Sequence, residues 1–227
     1  MKENNRTLWE RRYQRGEGMV RYPFDSVISF VNHRFKNRDP KKIKILDFGC
    51  GPGNHLVYLV ENKFDAFGVD VSATAVDLAR AALGIIDSDF DGEHVTVIDG
   101  NALPFANNMF DAVIDRSALG QNRADEIPLI VKEIERVLKP GGAFFGINFS
   151  DLHPDIMLGK PLGNGDHAFF EAGRFKNNGS RHFFSVDEVR SLFANFQLDD
   201  IRILEDRSLF DRGANVQIAI YATKHHV

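Results

Sequence analysis

A glycine-rich turn directly after a short apolar segment limits what this chain can fold into more than any other feature. The apolar segment is Ile43 to Phe48, and Gly-Cys-Gly-Pro-Gly follows it at Gly49 to Gly53. A helix is predicted next, from about Asn54 to Asn62. A buried strand, a glycine turn and a helix in this order bring the backbone close to a ligand at the end of the strand. The turn therefore predicts a ligand-binding site in an α/β protein.

The rest of the chain alternates predicted strands and helices. Strands are predicted at Phe64 to Val71, Val95 to Ile98, Phe110 to Asp115 and Ala143 to Phe149, and helices at Pro23 to Phe35, Ser72 to Ala82 and Glu126 to Leu138. Alternation of this kind favours a doubly wound, mostly parallel sheet with helices on both faces. Leu198 to Leu204 and Val216 to Ala222 alternate apolar and polar residues, which predicts an antiparallel strand pair near the C-terminus.

Composition narrows the class of protein. The 227 residues have a net charge of −4 and include 20 Phe, most of them expected in the core. This charge disfavours a nucleic-acid partner. Cys50 is the only cysteine, so no internal disulfide or cysteine metal cluster is expected. The polar segment Met1 to Arg15 and the lack of long apolar runs predict neither a signal peptide nor a membrane span, hence a cytoplasmic location.

Two carboxylates and one asparagine indicate the kind of ligand. Asn54 stands where a dinucleotide fingerprint has its third glycine. Asp47, just before the turn, is badly placed for a pyrophosphate but suits an ammonium group. Asp70 ends the next strand about 20 residues beyond the turn, where an acidic side chain accepts ribose hydroxyls. The pattern predicts a nucleoside that carries a positively charged amino acid.

Three further segments complete a family pattern: Asp99 to Phe105, Phe110 to Arg116 and Val137 to Gly142. With the glycine turn and Asp70, they resemble the class I S-adenosylmethionine-dependent methyltransferases of the small-molecule type, over about Ile43 to Phe149. The resemblance implies a Rossmann-like sheet of seven strands, S-adenosylmethionine as the cofactor and no metal. It also implies methyl transfer to a small-molecule acceptor such as a hydroxyl of a sugar or other metabolite.

The resemblance also implies the cofactor-binding residues. They are Asp47, Gly49, Cys50 and Gly51 for the methionine part, Asp70 and Val71 for the ribose and adenine, Asn101 and Ala102 for the adenine edge, and Asp115 and Arg116 beside the methyl group. Family members often have Asp at the position of Asn101. Asn retains a carbonyl oxygen for the adenine amine, so binding is expected to survive this departure.

The substrate side is predicted from the same set of segments. Within one methyltransferase domain, residues 1–40 are expected to form a helical lid, 41–149 the cofactor-binding core, 150–184 a substrate-side insertion and 185–227 a C-terminal helix and strand pair. Candidate substrate contacts are Tyr13, Tyr22, Gln121, Asn122 and His153. Candidate general bases are His153, His167 and His182, each weighed against an ordinary loop histidine.

Competing hypotheses remain open from the sequence. A nicotinamide-dependent oxidoreductase could use a similar sheet, although Asp47 and Asn54 oppose it. Two further hypotheses are a protein methyltransferase and a non-catalytic module that binds S-adenosylmethionine. The sequence indicates neither the acceptor atom nor the oligomeric state.

Overall fold

A seven-stranded sheet forms the centre of the computed structural model, which describes residues 5–99, 101–208 and 213–226. Gly100 of the Asp99 to Phe105 segment and the first four residues of the predicted lid lie outside the described residues. The strands of this sheet are β1 (Lys44–Phe48), β2 (Asp65–Asp70), β3 (Val95–Val97), β4 (Phe110–Arg116), β5 (Leu138–Phe149), β9 (Phe196–Arg207) and β10 (Ala214–Lys224).

The strand order is β3-β2-β1-β4-β5-β10-β9. The first five strands pair in parallel, whereas β10 is antiparallel to both β5 and β9. This confirms the predicted doubly wound sheet with an antiparallel C-terminal pair. The chain order reverses beside β1, whose neighbours are β2 and β4. In open α/β sheets, ligands bind beyond the carboxyl ends of the strands at such a reversal.

Helices cover both faces of the sheet. They are α1 (Asn5–Gln14), α2 (Asp25–Arg34), α3 (Asn54–Glu61), α4 (Ala73–Ile86), α5 (Ile127–Val137) and α6 (Val186–Leu192). Apolar residues of α5 and α6 pack with Phe110 and Phe144 on one face. Those of α2, α3 and α4 pack with Ile45 and Phe145 on the other. Because both faces are buried, the central strands are almost continuously apolar.

Two predicted boundaries shift. Helix α4 continues four residues beyond Ala82 to Ile86, since Leu83 remains on its buried face. Lys139 to Gly142, predicted as a break between helix and strand, instead begins β5. Gly141 adopts φ +74° there, and the register of β4 and β5 is irregular nearby. The glycines thus bend the strand where it leaves the helix.

The segment Ser150 to Arg181, for which no strand was predicted, contains a second small sheet. Its strands β6 (Lys160–Gly163), β7 (Asp166–Ala168) and β8 (Arg181–His182) are ordered β6-β7-β8. Phe170, Phe175 and Phe183 form a separate apolar cluster beneath it. Strands of two to four residues are too short to show a period in sequence.

Candidate active site

A large cavity lies beyond the carboxyl ends of β1, β2 and β4. Its volume is about 1540 Å³, and its walls come from α1, the glycine turn, the loop after β4, the segment 162–181 and β10. Ten residues predicted at the site line it together: Tyr13, Gly49, Cys50, Gly51, Asp70, Val71, Asn101, Arg116, Gln121 and Asn122. Residues from distant parts of the chain therefore converge where the sheet topology predicts a ligand.

The glycine turn leaves no room for side chains. Gly49 and Gly51 have φ values of +72° and +53°, in the left-handed region that favours glycine. A Cβ atom on Gly49 would collide with the Ala118 side chain, and one on Gly51 would lie 3.0 Å from Tyr13 Oη. The turn thus presents bare backbone to the cavity.

Asp47 and His55 form a buried pair beneath this turn. His55 Nδ1 lies 3.2 Å from Asp47 Oδ2, and both side chains are almost fully buried. Asp47 Oδ1 and His55 Nε2 are buried without a hydrogen-bond partner among the described residues. His55 lines the cavity, whereas Asp47 lies just behind the lining. An unpartnered carboxylate oxygen at this position fits a ligand ammonium group.

Sequence analysis did not identify His55. It follows the glycine turn on the first turn of α3, but its sequence neighbours give no indication that it contacts Asp47. Among the described residues that line the cavity, His55 is the one histidine. Only the return of the chain from β1 into α3 brings the two side chains together.

Asp70 fixes the turn to the next helix. Its two carboxylate oxygens accept hydrogen bonds of 2.9 Å from the backbone N–H groups of Gly51 and Ser72. Burial, opposed by these hydrogen bonds, raises the pKa of Asp70, and the nearby Asp47 raises it further. Each carboxylate oxygen keeps a second lone pair. Asp70 can therefore hold the glycine turn in place and still accept a ligand hydroxyl.

Asp115 shapes the loop that follows β4. It is fully buried and accepts hydrogen bonds from the backbone N–H groups of Ala118 and Leu119 and from the Asn148 side chain, at 2.9, 3.0 and 2.6 Å. Burial raises the pKa of Asp115 to about 6. Asp115 does not line the cavity, so its position is that of a residue supporting the loop.

Arg116 faces the cavity beside this loop. Its guanidinium lies 4.2 Å from the centre of the Phe24 ring and donates a 2.8 Å hydrogen bond to Ser117 Oγ. Its Nε is buried without a partner among the described residues. Burial lowers the pKa of Arg116, which nevertheless stays a cation near neutral pH.

Helix α1 covers the cavity and is attached on the core side by Glu10. The Glu10 carboxylate accepts hydrogen bonds of 2.6 Å from the hydroxyls of Ser72 and Thr74, and a third of 3.2 Å from the Thr74 backbone N–H. These hydrogen bonds lower the pKa of Glu10. Burial raises the pKa of Tyr13, whose ring closes over Gly51.

On its other side, α1 contacts the loop after β4 and the insertion. The Asn5 side-chain amide donates to the carbonyls of Gln121 and Ser180 at 2.6 and 2.8 Å. Trp9 Nε1 donates to Gln121 Oε1 at 3.2 Å, and Arg12 donates to the side chain of Asn178. The helix therefore bridges the cofactor-side core and the insertion across the mouth of the cavity.

Besides Asp47 and Asp115, the predicted contacts Tyr22 and Ala102 lie away from the cavity lining. Tyr22 is 71% exposed; its backbone carbonyl accepts a hydrogen bond from the Asn54 side chain, and the Arg21 guanidinium lies 5.6 Å from the centre of its ring. Ala102 is exposed, because the chain turns there before Leu103 enters the core. Neither side chain therefore lines the cavity.

The three candidate bases also lie outside the lining. His153 is buried among Phe149, Phe175 and Phe183, where burial lowers its pKa. His167 lies on β7 with its Nδ1 3.2 Å from the carbonyl of Gly165. His182 is fully buried, and its two ring nitrogens contact the carboxylates of Asp166 and Glu188. His182 therefore connects the insertion, through Asp166, to α6, through Glu188.

The strand order and the cavity place the chain in the class of α/β proteins that bind a nucleoside-type ligand at the reversal point of a parallel sheet. Residues 45–142 match the family model described as methyltransferase domain, so this part of the chain is a class I S-adenosylmethionine-dependent methyltransferase domain. The family assigned from the sequence is confirmed.

Curated relatives match mainly this core. A protein named uncharacterized methyltransferase sll0829, from Synechocystis, is 35% identical over 48% of this chain and 47% of its own length. The tRNA N(3)-cytidine methyltransferase METTL2 of Bos taurus is 28% identical over 78% and 47% of the two chains. The demethylmenaquinone methyltransferase of Bacillus licheniformis is 33% identical over 52% and 53%. The chain spans about half the length of these relatives.

Solved structures match nearly the whole chain. An S-adenosylmethionine-dependent methyltransferase from Methanosarcina mazei gives a TM-score of 0.70 at 21% identity, covering 91% of this chain and all of that one. The 1,6-didemethyltoxoflavin-N1-methyltransferase of Burkholderia thailandensis, solved with S-adenosylhomocysteine, gives 0.67 at 17%, covering 97% and 87%. At these identities the likeness shows the fold, including the C-terminal strand pair.

No helix within residues 5–99, 101–208 and 213–226 is long and apolar enough to cross a membrane. Over the same ranges, no group of three or more His, Cys, Asp or Glu side chains is arranged to hold a metal ion.

Proposed function

We propose that this protein transfers a methyl group from S-adenosylmethionine to a small molecule held inside the covered cavity. The observation that carries the proposal is the position of α1, which bridges the core and the insertion above the cavity through Glu10 and Asn5. Pockets for one small ligand measure about 300–1000 Å³. The cavity of about 1540 Å³ has room for a cofactor and a small acceptor together.

The chain's own residues fit the cofactor. Asp47, with its unpartnered oxygen, is proposed to bind the ammonium group, and Gly49 and Gly51 to contact the methionine part through their backbone. Asp70 is proposed to accept the ribose hydroxyls. Val71 and Asn101 line the same wall and are proposed to contact the adenine. Ala102 remains a proposed contact through its backbone.

The residues around the methyl position serve mainly to position the acceptor. When bound, S-adenosylmethionine supplies a methyl group on a sulfonium, and the acceptor's nucleophile takes this group in line. Arg116, Gln121 and Asn122 line the cavity along the loop after β4 and are proposed to orient the acceptor and exclude water. No base is assigned among the three histidines predicted for that role.

The chemistry of the opposite wall favours a hydroxylated acceptor. Side-chain amides and a hydroxyl line the cavity there: Asn177, Asn178, Ser180, Asn215 and Gln217. Such groups pair well with the hydroxyls of a sugar or another metabolite. Relatives are named for demethylmenaquinone, for 1,6-didemethyltoxoflavin and for a tRNA cytidine. A tRNA or protein acceptor would need an open groove, so the covered cavity favours a small molecule.

A transfer assay tests the proposal directly. Protein is incubated with methyl-labelled S-adenosylmethionine and metabolite fractions, and binding of this cofactor and of NAD is titrated separately. We expect the label to appear in low-molecular-weight products, and we expect the protein to bind S-adenosylmethionine but not NAD. Asp70→Ala is expected to weaken cofactor binding at least tenfold, while the exposed Asp77→Ala on α4 does not. Label appearing only in protein or RNA, or binding of NAD alone, would contradict the proposal.

A further inference from the structure

Arg181 is a buried cation that faces the acceptor side of the cavity. It begins β8, is only 6% exposed, and lines the cavity with its side chain. Ser180, its neighbour, shares the Asn5 amide with Gln121 of the loop after β4. Arg181 therefore lies close to the loop expected to flank the reacting methyl group, on the wall formed by the insertion.

The protein supplies no counter-charge for this guanidinium within the described residues. Arg181 Nε is buried without a hydrogen-bond partner. No described carboxylate lies within ion-pair distance of Arg181, and no described group accepts a hydrogen bond from it. Of the acidic residues on this wall, Asp166 is engaged by His182 and by the Ala124 backbone N–H, and Asp206 is exposed.

The surroundings of Arg181 are aromatic and positively charged. Its guanidinium lies 5.4 Å from the centre of the Phe149 ring and 4.9 Å from that of Phe175. Burial, followed by the positive charges of Arg12 and Arg174, lowers the pKa of Arg181 to about 10. The residue therefore remains charged at neutral pH. A buried, unpaired guanidinium is unfavourable unless an anion pairs with it.

We propose that Arg181 binds an oxyanion group of the methyl acceptor, a carboxylate or a phosphate, while the apolar part of the acceptor packs on Phe149 and Phe170. A planar guanidinium pairs with both kinds of oxyanion through two parallel hydrogen bonds. Phe149 and Phe170 line the same cavity and supply the apolar surface. This inference rests on the proposed methyl transfer and narrows the acceptor to small organic acids or phosphate esters.

Matched pairs of charged and neutral probes test the inference. Binding of benzoate and benzamide, and of phenyl phosphate and phenol, is measured by calorimetry on protein saturated with S-adenosylhomocysteine. The variants are Arg181→Met and Arg181→Lys. Met places an unbranched apolar side chain between the Phe149 and Phe175 rings without a charge, and Lys keeps the positive charge. Arg190→Met, on an exposed arginine of α6, is the matched control. Thermal unfolding of each variant checks that it is folded.

We expect at least one anion to bind the parent protein tenfold or more tightly than its neutral partner. Arg181→Met is expected to remove this preference, Arg181→Lys to reduce it, and Arg190→Met to leave it unchanged. The better of benzoate and phenyl phosphate identifies the oxyanion. Equal binding of charged and neutral probes, no binding of either anion, or a preference that persists in Arg181→Met would each overturn the inference.

Measuring the binding of S-adenosylhomocysteine separately shows which of the two proposals fails. If S-adenosylhomocysteine does not bind but the anions still depend on Arg181, the proposed methyl transfer fails and the anion site stands. If S-adenosylhomocysteine binds and the anions show no dependence on Arg181, the anion site fails and the methyl transfer stands.

Discussion

At the scale of single residues, the proposed binding of the cofactor's ammonium group by Asp47 can be tested by removing its charge. Asp47 is buried, one of its oxygens contacts His55, and the other has no partner among the described residues. A charge-assisted hydrogen bond in such a place is worth about 1.5–3 kcal/mol. We expect Asp47→Asn to weaken binding of S-adenosylhomocysteine by about tenfold or more, as measured by calorimetry.

The matched control for Asp47 is another ion-paired aspartate of the same sheet. Asp65 begins β2 and pairs with Lys44 at 3.2 Å, away from the cavity lining. Asp65→Asn is expected to leave the dissociation constant within twofold of the parent value. Equal losses in the two variants would mean that sheet stability, and not a contact with the cofactor, explains the effect.

Asp115 gives the molecule a pH-dependent stability with a defined sign. Its pKa is about 6 in the folded protein, above the ordinary value of 3.8 expected after unfolding. Between these values the folded state binds more protons than the unfolded state, so this residue's contribution to stability falls as the pH rises from about 4 to about 6. We expect the free energy of unfolding of the parent, relative to Asp115→Asn, to decline across that window.

Urea unfolding of both proteins at several pH values measures this difference in the free energy of unfolding. The contributions of the other titrating groups cancel, because both proteins contain them. The size of the decline is expected to be of the order of 2 kcal/mol. A difference that stays constant from pH 4 to 7 would show that Asp115 titrates normally in the folded protein.

The predictability of single residues depends on whether a sequence motif marks their positions. Asp47 and Asp70 could be predicted as site residues because each adjoins a strand end, and the glycine turn next to Asp47 marks the ligand. His55 and Arg181 could not. The contact of His55 with Asp47 and the burial of Arg181 depend on packing between segments that the sequence does not show as neighbours.

At the scale of elements, the Glu10 side chain attaches α1 to the start of α4. Glu10 accepts three hydrogen bonds from Ser72 and Thr74 there. We expect Glu10→Gln to weaken this attachment and to speed hydrogen exchange in residues 5–14. Mass spectrometry of peptides from the two proteins measures the rates. Glu61→Gln, at the exposed end of α3, is the control and is expected to change nothing in that segment.

The insertion is attached to α6 through His182. Although burial alone would lower it, hydrogen bonds to Glu188 and Asp166 raise the pKa of His182. The stabilisation from the charged imidazole is complete below the ordinary pKa of 6.5 and is lost as the pH rises through the raised folded value. We expect limited proteolysis within residues 160–180 to accelerate above that value, relative to pH 6.

A variant without a titrating ring provides the comparison for this effect. His182→Gln is expected to be cleaved faster than the parent at pH 6 and to show little further change as the pH rises. An insertion that is cleaved at one rate throughout in the parent would contradict the role of His182 as the bridge between Asp166 and Glu188.

Elements differ in how well the sequence predicts them. β1 is an almost continuously apolar run that ends at the glycine turn, and α5 has a regular apolar stripe, so their positions agree with the prediction to within a few residues. The sheet of β6, β7 and β8 escaped prediction because β8 has two residues and its partner β7 lies 12 residues away. What stabilises these strands is the Phe cluster and the contacts of His182, which arise only in the folded chain.

At the scale of the whole molecule, α1 joins three parts of the cavity wall: the start of α4, the loop after β4 and the insertion. α1 contacts the start of α4 through Glu10, the loop after β4 through Trp9, and the insertion through Asn5. A ligand that orders one of these parts must then stabilise the others, because such coupling acts in both directions. We expect S-adenosylhomocysteine to slow hydrogen exchange in residues 5–14, 117–122 and 166–182 at once.

The start of β9 supplies the internal reference for this experiment, since neither residues 197–201 nor the β10 residues paired with them line the cavity. Ligand at about 100 times its dissociation constant adds about 2.7 kcal/mol to global stability, which slows only exchange that requires complete unfolding. Faster, local exchange in residues 197–201 is therefore expected to stay unchanged. Protection confined to the glycine turn would mean that α1 does not couple the three parts. In Glu10→Gln, protection of residues 166–182 is expected to weaken together with that of residues 5–14, because both depend on the same helix.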